Sequence, residues 1–139
     1  MTLIVDASAL YAGTDANDPN HQVVAALLRT EGPLVTSEAV AAEADHLVLT
    51  RLGIDVELQF LDDLAEGALA VECLGRSELR LARDVARQYR DLQLGLGDAS
   101  LIVLAHRLGT RRVASFDHRC FRMVKPLQGG TFTVLPADG

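Results

Sequence analysis

Short apolar runs alternate along this chain with longer stretches of helical period, and the alternation predicts strands interleaved with helices. Leu3-Ile4-Val5 reads as a buried strand, and a helix N-terminus follows it at Asp6-Ala7-Ser8. Asp18-Pro19 marks the next helix start, with Asp as the cap and Pro in the first turn, where a missing N–H is harmless. That helix runs through Val23, Val24, Leu27 and Leu28 and stops at Gly32-Pro33. Pro33 to Thr36 is a second strand. Ser37 can cap a helix that reaches Leu52 and closes at Gly53, and Asp55 can cap another through Leu58, Leu61 and Leu64 to Gly67. Ala68 to Val71 is a third strand. Ser77 can cap a helix to about Asp91, with Leu81, Val85, Tyr89 and Leu92 on its inner face. Asp98 to Leu108 is a further helix, closed by Gly109. Val113 to Phe116 and Thr131 to Leu135 supply the last two strands, with Gly129-Gly130 as the turn before the final one.

Strands that alternate with helices predict an α/β fold, a parallel or mostly parallel sheet of about five strands with helices on both faces. The strands are continuous apolar runs rather than alternating ones, as doubly covered strands should be. No internal repeat, low-complexity stretch or linker interrupts the pattern, so residues 1–139 are expected to form one domain.

Composition changes this picture little. Apolar residues make up 49%, enough for a core, and aromatics only 4%, so that core is mostly Leu, Val and Ala. No basic region precedes an apolar stretch at the start, and no run approaches the roughly 20 residues needed to cross a bilayer. Cys73 and Cys120 lie in no motif and read as reduced thiols. A cytoplasmic protein with no membrane partner is the expectation.

Charge changes it more. The net charge of −6 argues by itself against nucleic acid, but its distribution does not. Residues 1–75 hold 13 acidic and 2 basic side chains, and residues 76–139 hold 6 acidic and 11 basic ones. Arg76, Arg80, Arg83, Arg87 and Arg90 fall at helical spacing, so their guanidiniums share one helix face. Such a stripe could follow a phosphate backbone, or be a solvated face beside Asp84 and Glu78.

Four acids stand where elements begin or end. Asp6 ends the first strand, Asp98 opens a helix after Gly95-Leu96-Gly97, and Asp117 follows the fourth strand. Glu43 lies among Ala39, Val40, Ala44 and Leu47 at helical spacing. Capping accounts equally well for Asp6 and Asp98, and a turn for Asp117. Glu43 has no such account: buried and unpaired, it would cost several kcal/mol or take up a proton. Two carboxylates about 4 Å apart repel by roughly 4 kcal/mol at an effective dielectric near 20. Sharing one pocket therefore calls for a cation, and oxygen donors suit a hard divalent one. His21, His46, His106 and His118 show no paired ligand spacing.

The order and surroundings of these acids resemble the PIN-domain ribonucleases, in particular the VapC toxins of bacterial toxin–antitoxin pairs. The resemblance rests on Ile4-Val5-Asp6-Ala7-Ser8-Ala9-Leu10, on Thr36-Ser37 followed by Glu43 and His46-Leu47-Val48, and on Leu94 to Leu101 around Asp98. It continues in Ala105 to Gly109, in Val113 to Arg119 around Asp117, and in Phe121 and Val124 to Pro126. One departure is Ser115, where many members carry Thr; a hydroxyl remains.

The resemblance implies a PIN-like α/β/α sandwich and an endoribonuclease dependent on Mg²⁺ or Mn²⁺. It implies Asp6 and Asp98 as direct ligands, Glu43 and Asp117 as partial or water-mediated ones, and Ser8 and Ser115 as supports behind them. Arg80, Arg83 and Arg87, with Arg112 and Arg119, would contact RNA, single-stranded or looped. It also implies a homodimer held inactive by a small VapB-like antitoxin, for which Val40 to Leu64 could supply apolar surface. Other readings stay open. A haloacid-dehalogenase-type phosphatase would need an acid where Ser8 stands. A receiver domain would need paired acids near the first strand, and Lys125 is the one lysine. An inactive binding module would share the fold, although all four acids and both serines are retained.

Overall fold

The computed structural model describes residues 1–139. Five strands lie side by side: β1 (Leu3–Val5), β2 (Leu34–Ser37), β3 (Ala70–Glu72), β4 (Arg112–Ala114) and β5 (Thr133–Leu135). Their order is β3-β2-β1-β4-β5 and every pairing is parallel. At the centre, Ile4 partners Val35 on one side and Val113 on the other. Seven helices connect and cover the sheet: α1 (Ala7–Thr14), α2 (His21–Thr30), α3 (Glu38–Leu52), α4 (Ile54–Ala65), α5 (Arg76–Gln88), α6 (Gly95–Leu108) and α7 (His118–Met123).

The connections decide where a ligand can sit. From β1 the chain steps outward to β2 through α1 and α2, and to β3 through α3 and α4. Helices α5 and α6 then carry it back across the sheet to β4, on the other side of β1. Strand order therefore reverses between β1 and β4. In open α/β sheets the crevice beyond the carboxyl ends of the strands at such a reversal is where ligands bind.

Burial follows the sequence pattern. Leu3, Ile4 and Val5 are fully buried, and one apolar cluster joins residues of β1, β2, β4 and β5. Edge strand β3 contributes nothing to it: Ala70 and Val71 are exposed. Helix α6 is buried at every position from Ala99 to Ala105, as a helix covered on all sides must be. It packs against α5, α3, β1 and β2. Gly109 ends it in the left-handed conformation at φ 65°, which a residue without Cβ adopts freely.

Several helix starts differ from the sequence expectation. Helix α2 begins at His21, not Pro19, because Asp18 turns the preceding loop by accepting the Asn20 amide at 2.8 Å. Gly53, not Asp55, precedes α4, and Gly75, not Ser77, precedes α5. At α5, Glu78 reaches back to accept the Gly75 amide at 3.2 Å, one half of a capping box without a capping side chain. Ser37 does cap α3, accepting the Val40 amide at 3.0 Å. On α5 the inner face is Ala82 and Val85, while Leu81 points outward at 40% exposure. Helix α6 starts at Gly95, so Asp98 sits within its first turn rather than capping it. Helix α7 was not foreseen; six residues are too few for a period to register.

Candidate metal centre

Asp6 leaves the end of β1 directly above the reversal point and is only 4% exposed. Its Oδ1 accepts the Ala7 amide at 2.7 Å as the cap of α1, and its Oδ2 accepts the Ser115 hydroxyl at 2.7 Å. The Ser8 hydroxyl lies 3.4 Å from the same Oδ2. Both serines also hold the segment after β4: Ser115 Oγ accepts the Asp117 amide at 2.9 Å, and Ser8 Oγ accepts the Phe116 amide at 3.0 Å. Two hydroxyls thus tie the carboxylate after β1 to the backbone after β4.

The other two acids arrive on helices. Glu43 projects from α3 and Asp98 from the first turn of α6. These helix starts are joined by hydroxyls. Ser100 donates to the Gly97 carbonyl at 2.6 Å, so the Ser37 hydroxyl, 2.7 Å away, donates to Ser100. Helix α6 comes so close to α3 that a Cβ at residue 97 would stand 2.9 Å from Glu43 Oε2. Glycine leaves that oxygen where it stands, whereas any other residue would make it shift.

Asp6, Glu43, Asp98 and Asp117 line one cavity of about 360 Å³ together with Ser8 and Arg119. Arg119 is the single cation on its wall, held by donation to the Leu92 carbonyl at 2.7 Å. Electrostatics record the crowding. Burial pushes Asp98 up to about 7, with the charges of Asp6, Asp117 and Glu43 adding to the shift and Arg119 opposing it. Burial also raises Asp6, against the bonds from Ser115 and Ala7. Glu43 is raised by partial desolvation and by the charges of Asp6 and Asp117, although it stays open to solvent. Despite its apolar neighbours at helical spacing, Glu43 is turned by α3 toward the cavity mouth rather than into the core.

No three of the carboxylates stand close enough to form a coordination shell as placed. Side-chain rotation would be needed to turn their oxygens toward one ion. The donor set nevertheless fits a hard divalent cation. It is all oxygen, it carries an excess of negative charge, and Gly97 leaves Glu43 room to approach.

The arginines divide. Arg80, Arg83 and Arg87 are exposed along α5, and only Arg83 has an acidic partner, Asp84 at 3.1 Å. None of the three lines the carboxylate cavity. Arg112 opens β4, at the end of the sheet away from the carboxylates, and its guanidinium is bound to Glu31 at 2.9 Å. That position sets Arg112 apart from the carboxylates, so any RNA contact it makes lies away from the cavity. Sequence reasoning gave no role to the Ser37–Ser100 link or the close approach at Gly97, because both arise where α3 and α6 cross. Ser37, Gly97 and Ser100 did stand inside the segments compared.

A family model, the PIN domain, matches residues 3–126. This chain belongs to the PIN-domain family. Within that family it is 41% identical over 135 residues to the ribonuclease VapC26 of Mycobacterium tuberculosis (strain ATCC 25618 / H37Rv), covering 96% of this chain and all of the relative. Three solved structures share the fold. The M. tuberculosis VapC20 structure, titled a sarcin–ricin-loop-cleaving toxin, matches with a TM-score of 0.76 at 21% identity, over 83% of this chain and 89% of that one. VapBC2 from Rickettsia felis, bound to a DNA fragment from its promoter, gives 0.67 at 11% identity over 96% and 97%. FitAcB from Neisseria gonorrhoeae gives 0.65 at 15% identity over 94% and 96%. In this PIN domain, Asp6, Glu43, Asp98 and Asp117 are thus grouped at the carboxyl edge of the sheet.

Proposed function

We propose that this PIN domain is the ribonuclease toxin of a toxin–antitoxin pair, and that it hydrolyses RNA phosphodiesters with Mg²⁺ or Mn²⁺ at the four-carboxylate cavity. The observation that carries the reading is the gathering of Asp6, Glu43, Asp98 and Asp117 on one wall system in a chain 41% identical to a VapC ribonuclease. A bound cation would supply Lewis acidity, polarising a phosphoryl oxygen and making water a better nucleophile. Asp6 and Asp98 are assigned as its principal ligands, because both sit deep and are fixed in elements. Glu43, at the open mouth, is placed to accept a proton from an attacking water, and Asp117 to orient that water. Ser115 and Ser8 hold Asp6 in one rotamer, which preserves ligand direction. Arg119 stands beside the acids to pair with a phosphate of the cleaved strand.

The partner is a protein antitoxin, as the VapBC2 structure supports by likeness. We assign it a tail that crosses the cavity and offers a basic side chain to the acids. A homodimer is assigned on the exposed apolar residues Ile54, Leu58 and Leu61 of α4 with neighbouring Val71. No helix is long and apolar enough to cross a membrane, and the cytoplasm, where RNA is plentiful, is the assigned location. The whole chain, 1–139, is taken as the one PIN unit.

The test is cleavage of RNA by purified protein with Mg²⁺, Mn²⁺ or chelator, beside Asp6→Asn. Cleavage that needs the ion and disappears in the folded variant is expected. Equal cleavage by Asp6→Asn, or none by the wild type at any ion concentration, would contradict the reading.

A further inference from the structure

A second cavity opens beside the first. It has a volume of about 240 Å³ and shares two walls, Ser8 and Leu47, with the carboxylate cavity. Its other walls include Tyr11, Phe116, Asn20, Asp18 and Arg51. None of these five is needed by the hydrolysis described above.

Its chemistry is unlike that of an apolar groove. Two aromatic side chains, Tyr11 from α1 and Phe116 from the segment after β4, supply π faces. The Arg51 guanidinium is held 5.1 Å from the Tyr11 ring centroid. The Tyr11 hydroxyl is anchored on Asp15 at 2.8 Å, which keeps the ring in place. Asp18 holds the Asn20 amide with one oxygen, leaving the other to accept. The Asn20 side chain makes no capping bond to α2 and is free to donate and accept. Flat aromatic surface with a guanidinium, a carboxylate and an amide is the equipment with which proteins hold an unpaired base. Phe116 lies between Ser115, which binds Asp6, and Asp117, so this cavity adjoins the carboxylate site along the chain as well as in space.

We infer that the cavity lined by Tyr11, Phe116, Asn20, Asp18 and Arg51 is a nucleobase subsite, which takes one unpaired base next to the scissile phosphate and so selects where RNA is cut. The inference rests on the ribonuclease reading for the word scissile, but the base-binding claim stands separately. Guanine fits the polar set. It presents acceptors O6 and N7 to Arg51 and Asn20, and N–H donors to Asp18; adenine and uracil lack the paired donors that a carboxylate favours. One cation, Arg51, balanced by one acid, Asp18, also suits a neutral base better than a phosphate run.

Two measurements test it. In the first, a randomised single-stranded RNA is cut by wild type, Asn20→Ala and Arg51→Ala, and the fragment ends are sequenced. Wild type should enrich guanine at one fixed position flanking the cut, and each variant should lower that preference by about tenfold, raising KM more than it lowers kcat. In the second, 2′-O-methyl tetranucleotides differing in one base are titrated without divalent ion into labelled protein, and the Asn20 side-chain amide is followed by NMR. A guanine-dependent shift is expected, absent with Arg51→Ala. Unaltered base preference in both variants together with no base-dependent shift overturns the subsite. A shift given by a peptide but by no oligonucleotide also overturns it and assigns the cavity to a protein tail. Failure of the ribonuclease reading looks different: no ion-dependent cleavage, with the guanine-dependent shift intact. Asn20 and Arg51 lie at the surface, and circular dichroism confirms that each variant is folded.

Discussion

Gly97 is the position where a single atom decides the site. A Cβ there would stand 2.9 Å from Glu43 Oε2, so that carboxylate oxygen would have to shift. Gly97→Ala should therefore make the Glu43 carboxylate turn aside, and because that side chain is flexible and exposed RNA cleavage should fall by no more than about tenfold, roughly 1.4 kcal/mol of transition-state stabilisation. Helix propensity favours Ala over Gly by about 1 kcal/mol, so thermal unfolding should show no large loss of stability. A loss well beyond about tenfold would show that Glu43 cannot turn aside. Asp98 carries the second residue-scale prediction. Its carboxyl is raised to about 7 in the folded chain, and those of Asp6 and Glu43 are raised as well. The ion-free folded state thus binds protons more tightly than the unfolded one; for Asp98 the stabilising effect is full below about pH 4 and lost as pH rises through about 7, and for Asp6 and Glu43 it is lost in the same direction. Ion-free protein should melt lower at about pH 8 than at about pH 5. Asp98→Asn should recover on the order of 1 kcal/mol at the higher pH, a figure discounted because Asp98 is partly solvated. Parallel melting curves for wild type and variant across pH would show that the repulsion is absent.

At the scale of elements, two helix starts are the devices that matter. Ser37 caps α3 and also donates to Ser100 at the start of α6. Ser37→Ala should cost about 1 kcal/mol for the cap alone, and somewhat more for the hydroxyl left without its donor. Because it loosens the α3–α6 crossing, cleavage should fall with it, even though Ser37 touches no acid. Loss of stability without loss of activity would separate the two roles. The stripe on α5 makes a different kind of claim. Arg80, Arg83 and Arg87 are exposed outside the cavity. If they follow the RNA backbone, replacing all three with Gln should weaken RNA binding and reduce the slope of log affinity against log salt by up to about 2 units, at roughly 0.7 per phosphate contact for single strands. An unchanged slope would make the stripe a solvated face.

At the scale of the molecule, strand order places the acids. Reversal between β1 and β4 opens the crevice into which α3 and α6 bring Glu43 and Asp98. A divalent ion that binds there binds only the folded chain. Mg²⁺ or Mn²⁺ at about 100 times its Kd should stabilise the protein by about 2.7 kcal/mol, visible as a rise in melting temperature, and Asp6→Asn should abolish most of that rise. An equal rise in both proteins would put the ion elsewhere. The apolar residues left open on α4 belong to this scale too, since a face carrying Ile54, Leu58 and Leu61 calls for a covering surface.

Much of this protein was written in the linear pattern. Apolar runs of the right length named all five strands; for β1, β2, β4 and β5 this is because a parallel strand buried on both faces needs no polar alternation, while edge strand β3 is apolar but exposed. Glycine and serine marked most helix ends, and Asp6, Asp98 and Asp117 could be picked out because carboxylates at strand ends and helix starts are local features. Helix starts at Asp18, Asp55 and Ser77 were misplaced because a capping residue competes with neighbouring turns for the same backbone amides, and only the final geometry settles which side chain reaches. Glu43 was given an apolar setting from its neighbours at helical spacing, since periodicity locates a helix face but not what lies opposite it. Arg112 stands five residues before Asp117 in the chain, yet β4 separates the two, because a strand of three residues is enough to carry the chain from one end of the sheet to the other. The sequence by itself determined which elements form and which side chains carry charge, since both follow from local chemistry. The tertiary structure alone decided which of those side chains meet, because contact between Gly97 and Glu43, or Ser115 and Asp6, depends on strand order and helix crossing that no short stretch of chain encodes.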